Sequence, residues 1–305
     1  MARRKTGNPV HGWLVLDKPL GMTSTEAVAT IRRLFNAQKA GHAGTLDPLA
    51  TGILPIALGE ATKTVAAVVE GEKAYRFSVR WGAETRTDDA QGEPVKTSDA
   101  RPAIAEIEAL LPRFTGKILQ IPPRFSAIKL DGQRAYDLAR DGEDVVLEPR
   151  LVVVTELNVV AGLDASTTVF EAVCGKGTYV RAIARDLGRA LGCYGHVVEL
   201  RRTRVGPFDE DQVLRLDALS PQGADAQDYL PPRLLPVEAA LADILRLDVS
   251  MADAARLKRG QAILLRGRDA PILTGTAYAV SKGQIIAIGE LDKGELRPTR
   301  VFNLR

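Results

Sequence analysis

Hydrophobic spacing along the chain switches between a period of two and a period near three and a half, and the switches divide it into elements. Trp13 to Leu16 is an apolar run ending in Asp17-Lys18-Pro19 and predicts a strand. Thr23 and Glu26 then form a capping box for a helix that buries Val28, Ile31 and Leu34 or Phe35. Gly41-His42-Ala43-Gly44-Thr45-Leu46-Asp47-Pro48-Leu49-Ala50-Thr51-Gly52 has neither period and predicts an ordered loop, followed by a buried strand over Ile53 to Leu58 and a helix from about Glu60 to Val69. Lys73 to Trp81 alternates cleanly, with Tyr75, Phe77, Val79 and Trp81 on one face and Arg76, Ser78 and Arg80 on the other.

Glu84 to Pro94 is acidic, contains glycine and predicts a turn or loop, and Ala103 to Leu111 predicts a helix. Phe125 to Leu130 predicts a strand, and Tyr136 to Arg140 a short helix within a charged excursion that runs to about Arg150. Strands over Val152 to Val160 and Thr168 to Cys174 lead into Gly175-Lys176-Gly177-Thr178, which opens a helix carrying Tyr179, Ile183 and Leu187 at four-residue spacing. His196 to Arg201 predicts another strand. Composition shifts after Asp209, and the main boundary falls near Leu241 to Asp248. Beyond it a short basic helix, Met251 to Lys258, precedes strands that include Thr276 to Val280 and Ile285 to Leu291, joined across Lys282-Gly283.

With 305 residues, 45% hydrophobic and 26% charged, the chain has material for one large core or two smaller ones, which excludes a disordered or fibrous protein. No apolar run approaches the roughly 18 residues of a spanning helix, and no apolar signal region follows Arg3, Arg4 and Lys5, so a soluble cytoplasmic protein is expected. Cys174 and Cys193 belong to no metal-binding spacing and the three histidines are scattered, so no metal site is expected. A net charge of +3 does not announce a polyanion partner. Its distribution says more: basic clusters at Arg32-Arg33, at Arg201, Arg202 and Arg204, and at Arg256 to Arg259 suit a basic groove in a neutral protein, although any one cluster by itself reads as a solvated face.

Asp47 is the sharpest chemical position, a lone carboxylate in a glycine-rich loop, held out of helical geometry by Pro48. An Asp-Pro pair can also simply start a turn. Tyr75 is either core or a ring face offered to a planar ligand. The Gly175 to Arg181 turn delivers a helix N-terminus with an arginine in its first turn, able to hold an anion or orient a carboxylate, and the Leu200 to Gly206 run offers either phosphate contacts or a charged edge strand.

Taken in order, these stretches resemble the bacterial TruB-type tRNA pseudouridine-55 synthases over roughly residues 12 to 206. The most specific block is Gly41 to Gly52. It is supported by Gly12 to Ser24, Lys73-Ala74-Tyr75, Ser126 to Lys129, Gly175 to Arg181 and Leu200 to Gly206, with Phe125 standing where the family pattern often has tyrosine. The resemblance implies an α+β fold: a catalytic domain over 1–240 on a mixed, mostly antiparallel sheet, with a thumb-like insertion at about 125–150, then a small β-rich PUA-like domain over 241–305. It implies that the N1–C1′ bond of uridine 55 in the tRNA T-loop is broken, the flipped-out base turned, and the ribose rejoined through C5, without cofactor, membrane or protein partner, by a monomer.

Asp47 is then the catalytic carboxylate, attacking C1′ or removing the C2′ proton, with Arg181 as its ion-pair partner. Tyr75 stacks on the base, Tyr179 and Leu200 line the uracil pocket, His42 enters the T-loop, and Lys18 gives structural support or a phosphate contact. Two rivals stay open: a non-catalytic RNA-binding protein, and a nucleoside or glycoside hydrolase, which needs a second carboxylate to activate water.

Overall fold

The strand Gly12–Lys18 is buried on both faces, which is why it reads as an unbroken apolar run. Leu14 and Leu16 face one hydrophobic cluster, and Trp13 and Val15 face a second. The computed structural model describes residues 7–126, 128–130, 133–134, 147–219, 234–265 and 274–304.

Gly12–Lys18 belongs to a ten-stranded mixed sheet whose main path runs Val213–Arg215, Gly12–Lys18, Ala50–Leu58, Gly195–Val205, Lys73–Trp81, Thr167–Cys174, Arg150–Asp164 and Gly116–Gln120. Pairing is antiparallel except where Gly12–Lys18 meets Val213–Arg215 and Ala50–Leu58 meets Gly195–Val205. One face carries the helices Ser24–Leu34 and Val180–Ala190, and Ile31, Ile183 and Leu187 join Phe77 and Phe170 in the larger cluster. The Thr23 capping box forms, with the Thr23 N–H donating to Glu26 Oε2 (2.8 Å) and the Glu26 N–H donating to Thr23 Oγ1 (3.2 Å).

Several elements differ from the sequence expectation. The irregular loop is shorter, because Ala40–His42 pairs with the strand Ala50–Leu58, which begins three residues before Ile53. Gly52 makes that extension possible: at φ +93° it passes so close to Arg202 that a Cβ would lie 2.2 Å from the Arg202 carbonyl oxygen. The helix expected over Glu60 to Val69 breaks into a 3₁₀ turn, Gly59–Lys63, and a short helix, Val65–Glu70, with Thr64 at the break accepting a hydrogen bond from the Trp13 indole (3.2 Å). The strand expected over Phe125 to Leu130 is reduced to Lys129–Leu130, paired with Gln133–Arg134. The Phe125 carbonyl does not enter a ladder, because it accepts from Arg181 (2.9 Å). The helix expected at Tyr136 to Arg140 lies outside the described residues.

Residues 245–301 hold a second, five-stranded sheet in the order Leu245–Asp248, Gly275–Ser281, Gln284–Asp292, Glu295–Val301 and Ile263–Leu264. Lys282-Gly283 and Lys293-Gly294 both have positive φ (50°/75° and 48°/78°) and each joins an antiparallel pair, as primed hairpin turns do. The second Lys-Gly is the sequence signal for the strand Glu295–Val301. This sheet packs on the first: Tyr278, Val280, Ile285, Ile288 and Phe302 share a cluster with Trp13, Val15, Phe208 and Leu241. Lys63 donates to the Val301 carbonyl (2.7 Å) and Glu60 accepts from the Asn303 N–H (2.7 Å), pinning the chain end to the first body. Among the described residues no helix is long and apolar enough to cross a membrane.

Candidate active site

A cavity of about 240 Å³ opens beside the loop that carries Asp47. It is smaller than the roughly 300–1,000 Å³ of pockets that take drug-sized ligands, and suits a single ring. The structure brings Asp47, Tyr75, Tyr179, Arg181 and Leu200 together on its wall.

The loop is held rigidly because every carbonyl from Gly44 to Pro48 is occupied. Gly44 and Thr45 accept from Arg202 (3.0 and 3.4 Å). Leu46 accepts from Ser24 Oγ, which also receives the Leu46 N–H (3.0 and 2.9 Å). The Asp47 carbonyl takes the Ala50 N–H (3.0 Å), and that of Pro48 takes the Gly21 N–H (2.8 Å). A loop so fixed holds the Asp47 carboxylate at one place on the cavity wall, its side chain 38% exposed.

Arg181 meets that carboxylate at 2.7 Å, Nη2 to Oδ2. The same nitrogen donates to the Phe125 carbonyl, while Nη1 donates to the Thr87 carbonyl (2.8 Å) and lies 3.6 Å from Asp89. Arg181 is buried and cannot swing away. It is the first of three arginines at four-residue spacing on the helix Val180–Ala190. Arg185 bonds Asp88 (3.1 Å) and the Ile121 carbonyl (2.7 Å), and Arg189 grips Glu84 through two hydrogen bonds (2.6 and 2.7 Å). Glu84, Asp88 and Asp89 are buried, although the sequence predicts only an acidic turn or loop there. The arginine period of Arg181, Arg185 and Arg189, alongside that of Ile183 and Leu187, is the sequence signal for these partners.

Asp88 yields a prediction. Burial pushes its carboxyl up to about 6, with Arg185 and Arg181 opposing, from an ordinary value near 4. A folded-state value above the unfolded one favours folding at low pH, and that contribution is lost as pH rises through about 6. In denaturant melts, the stability of the wild type relative to Asp88→Asn should therefore be greater at pH 5 than at pH 7. An unchanged or reversed difference would reject the assignment.

Tyr75 offers its ring to the cavity from the strand Lys73–Trp81. Its hydroxyl is buried against the Arg202 guanidinium, and burial raises its pKa, so it stays a neutral phenol. Tyr179 precedes the helix Val180–Ala190 and is held by Gln120, whose side-chain oxygen accepts the Tyr179 N–H (2.8 Å) while its NH₂ donates back to the Tyr179 carbonyl (3.1 Å). Gln120 was not legible as a site residue, because its partner is 59 positions away.

The structure also places Lys18, the basic cluster near Arg202 and His42. Lys18 is 0% exposed, and its ammonium donates to the carbonyls of Pro19 (2.9 Å) and Met22 (2.8 Å) and reaches toward that of Pro48 (3.5 Å). Burial pulls its pKa down to about 8 against the attraction of Asp47. It supports the loop, which is the structural one of the two roles the sequence leaves open for it. Arg201, Arg202 and Arg204 do not form an open basic groove. Arg201 pairs with Asp17 (3.0 Å) and Glu210 (2.7 Å), Arg204 with Glu72 (3.5 Å), and Arg202 is 2% exposed beneath the loop. His42 is on the edge strand before the loop, half-buried and outside the cavity wall, and burial lowers its pKa, with Arg202 adding to the shift, so the imidazole is neutral. Among the described residues no three His, Cys, Asp or Glu side chains are placed to hold a metal.

Residues 32–180 match the family model described as TruB family pseudouridylate synthase (N terminal domain), and residues 181–242 match tRNA pseudouridylate synthase B C-terminal domain. The chain is 60% identical to tRNA pseudouridine synthase B of Nitrobacter winogradskyi, over 99% of this chain and 85% of that one. It is 54% identical to the protein of the same name from Agrobacterium fabrum, over 98% and 97% of the two chains. In fold it is similar to a chain of an H/ACA RNP bound to a substrate RNA containing 2′-deoxyuridine, at TM-score 0.75 and 24% identity, covering 100% of this chain and 92% of that one. A chain of a Cbf5-Nop10-Gar1 complex matches at TM-score 0.71 and 25% identity, over 96% and 84%.

Proposed function

This chain belongs to the TruB family of pseudouridylate synthases, enzymes that isomerise uridine to pseudouridine, and from that premise we propose that it acts on uridine 55 in the T-loop of tRNA, with Asp47 as the catalytic carboxylate. The observation that carries the proposal is the Asp47–Arg181 pair at 2.7 Å on the wall of a ring-sized cavity.

The target base leaves its stack and enters the cavity, at a cost of a few kcal/mol. Tyr75 stacks on it and Leu200 closes the apolar side. Asp47, held in place by its ion pair with Arg181, attacks C1′ or takes the C2′ proton as the N1–C1′ bond breaks. The freed uracil turns and C5 bonds to C1′, displacing the Asp47 carboxylate on the first route, or with Asp47 returning the proton to C2′ on the second. The C5 proton then leaves and N1 ends protonated, so atoms balance without water or a redox partner. The unit over 1–240 performs this chemistry, with most of its thumb-like segment outside the described residues, and the unit over 241–305 contacts RNA farther away. The enzyme works in the cytoplasm as a monomer.

Incubating the protein with a T-stem-loop transcript separates the readings. Pseudouridine supports isomerisation, free uracil supports the hydrolase, and neither product with retained binding supports the RNA-binding protein. The hydrolase is disfavoured by Asp89, the carboxylate nearest Arg181 after Asp47, because it is 4% exposed and has no open path to a water at C1′.

Tyr75 gives a graded test. Tyr75→Phe keeps the ring and should bind RNA like the wild type with slower conversion, because the Arg202 contact is lost. Tyr75→Leu should also lose about 1–3 kcal/mol of stacking, read as weaker RNA binding. Equal binding by both variants, with equal losses in melting temperature, would make Tyr75 a core residue only.

A further inference from the structure

We propose that Lys176 grips the backbone phosphate of the target nucleotide as its base enters the cavity, and that Glu70 is the counter-ion exchanged for that phosphate. This rests on reading the cavity as a uridine site. A base can enter only if its sugar and flanking phosphates remain at the mouth, so the rim has to meet negative charge.

The cavity wall carries four cationic residues, Lys73, Lys176, Arg181 and Arg202. Three are committed inside the protein. Lys73 is 6% exposed and its ammonium donates to the carbonyls of Val69 and Gly71. Arg181 is spent on Asp47 and two backbone carbonyls, and Arg202 on the carbonyls of Gly44, Thr45 and Ile53. None can turn outward without orphaning buried acceptors.

Lys176 is different. Its side chain is 56% exposed and pairs with the Glu70 carboxylate, itself 63% exposed. Lys176 stands on the turn between Gly175 and Gly177, while Glu70 directly follows Val69, another wall residue. The pair therefore ties two parts of the rim that are 106 positions apart in the chain. An ion pair this exposed is weak, so replacing the carboxylate by a phosphate costs little, and each phosphate neutralised releases condensed counterions. In the free protein Glu70 keeps the ammonium at the mouth. In the complex the phosphate takes its place.

The test measures binding of a T-stem-loop RNA across a salt series for the wild type, Lys176→Met, Lys176→Arg and Glu70→Gln, beside wild-type pseudouridine formation on the same RNA. Lys176→Met should bind roughly three- to tenfold more weakly at 0.1 M salt, with a slope of log affinity against log salt shallower by about 0.7–0.9, the value for one lost phosphate contact. Lys176→Arg should restore both affinity and slope, and Glu70→Gln should bind more tightly than the wild type. Melting temperatures should stay unchanged, because both side chains are exposed. Wild-type affinity and slope in Lys176→Met, or weaker binding by Glu70→Gln, would overturn the proposal. If the wild type makes pseudouridine while either result is found, only this inference fails; if the wild type makes none, the reading of the site fails.

Discussion

Asp47→Asn should make no pseudouridine while holding tRNA within about tenfold of the wild-type affinity. The amide has the same shape as the carboxylate and occupies the same fixed loop, whose hydrogen bonds run through backbone carbonyls and Ser24 rather than through the Asp47 side chain. It can neither attack C1′ nor accept the C2′ proton, so no other group on the wall inherits its task. Arg181 loses its partner at 2.7 Å but keeps the Thr87 and Phe125 carbonyls and Asp89, so the helix Val180–Ala190 stays seated. Nucleoside analysis of a tRNA transcript incubated with the pure variant decides the matter. More than a trace of pseudouridine would reject Asp47 as the catalytic carboxylate.

Arg202→Met should lose both stability and turnover. Its guanidinium reaches the carbonyls of Ile53 (2.8 Å), Gly44 (3.0 Å) and Thr45 (3.4 Å), joining the two ends of the Asp47 loop. Methionine fills part of the volume and satisfies none of these acceptors. Each orphaned carbonyl costs about 1–3 kcal/mol, partly offset because the guanidinium no longer has to be desolvated, for a net loss of about 3 kcal/mol. A loop displaced by about 1 Å can cost on the order of 10²-fold in rate, so conversion should fall at least that far even at temperatures where the variant is folded. Arg202→Lys should rescue little, since a point charge cannot span three carbonyls. A melting temperature and single-turnover rate close to wild type would show that the loop holds its shape without Arg202.

These two residues also mark where the sequence was informative and where it was not. Asp47 stood out because Gly44, Pro48 and Gly52 restrict backbone dihedrals locally, and such restrictions are written in adjacent residues. In the sequence Arg202 falls with Arg201 and Arg204 in one basic run. The strand Gly195–Val205 lies between Ala50–Leu58 and Lys73–Trp81, so the side chain of Arg202 points under the loop, while its neighbours find Asp17, Glu210 and Glu72 near the surface. Alternation separates Arg202 from Arg201, but only the sheet order says which face is covered.

By itself the sequence determined the alternation of Lys73 to Trp81, the capping box at Thr23, the irregular character of the loop around Asp47 and, through resemblance, the family. These depend on backbone geometry and side-chain period over a few residues, which local order fixes. Tertiary structure alone decided that Lys18 lies buried beneath the loop, and that Gln120 clamps Tyr179. It also buried Glu84, Asp88 and Asp89 against arginines about a hundred positions later, and it left Lys176 as the outward-facing cation of the cavity wall. The physical reason is that a charged side chain is stable inside only where packing brings its partner, and the register of that packing is set by the whole core, not by the residues beside it.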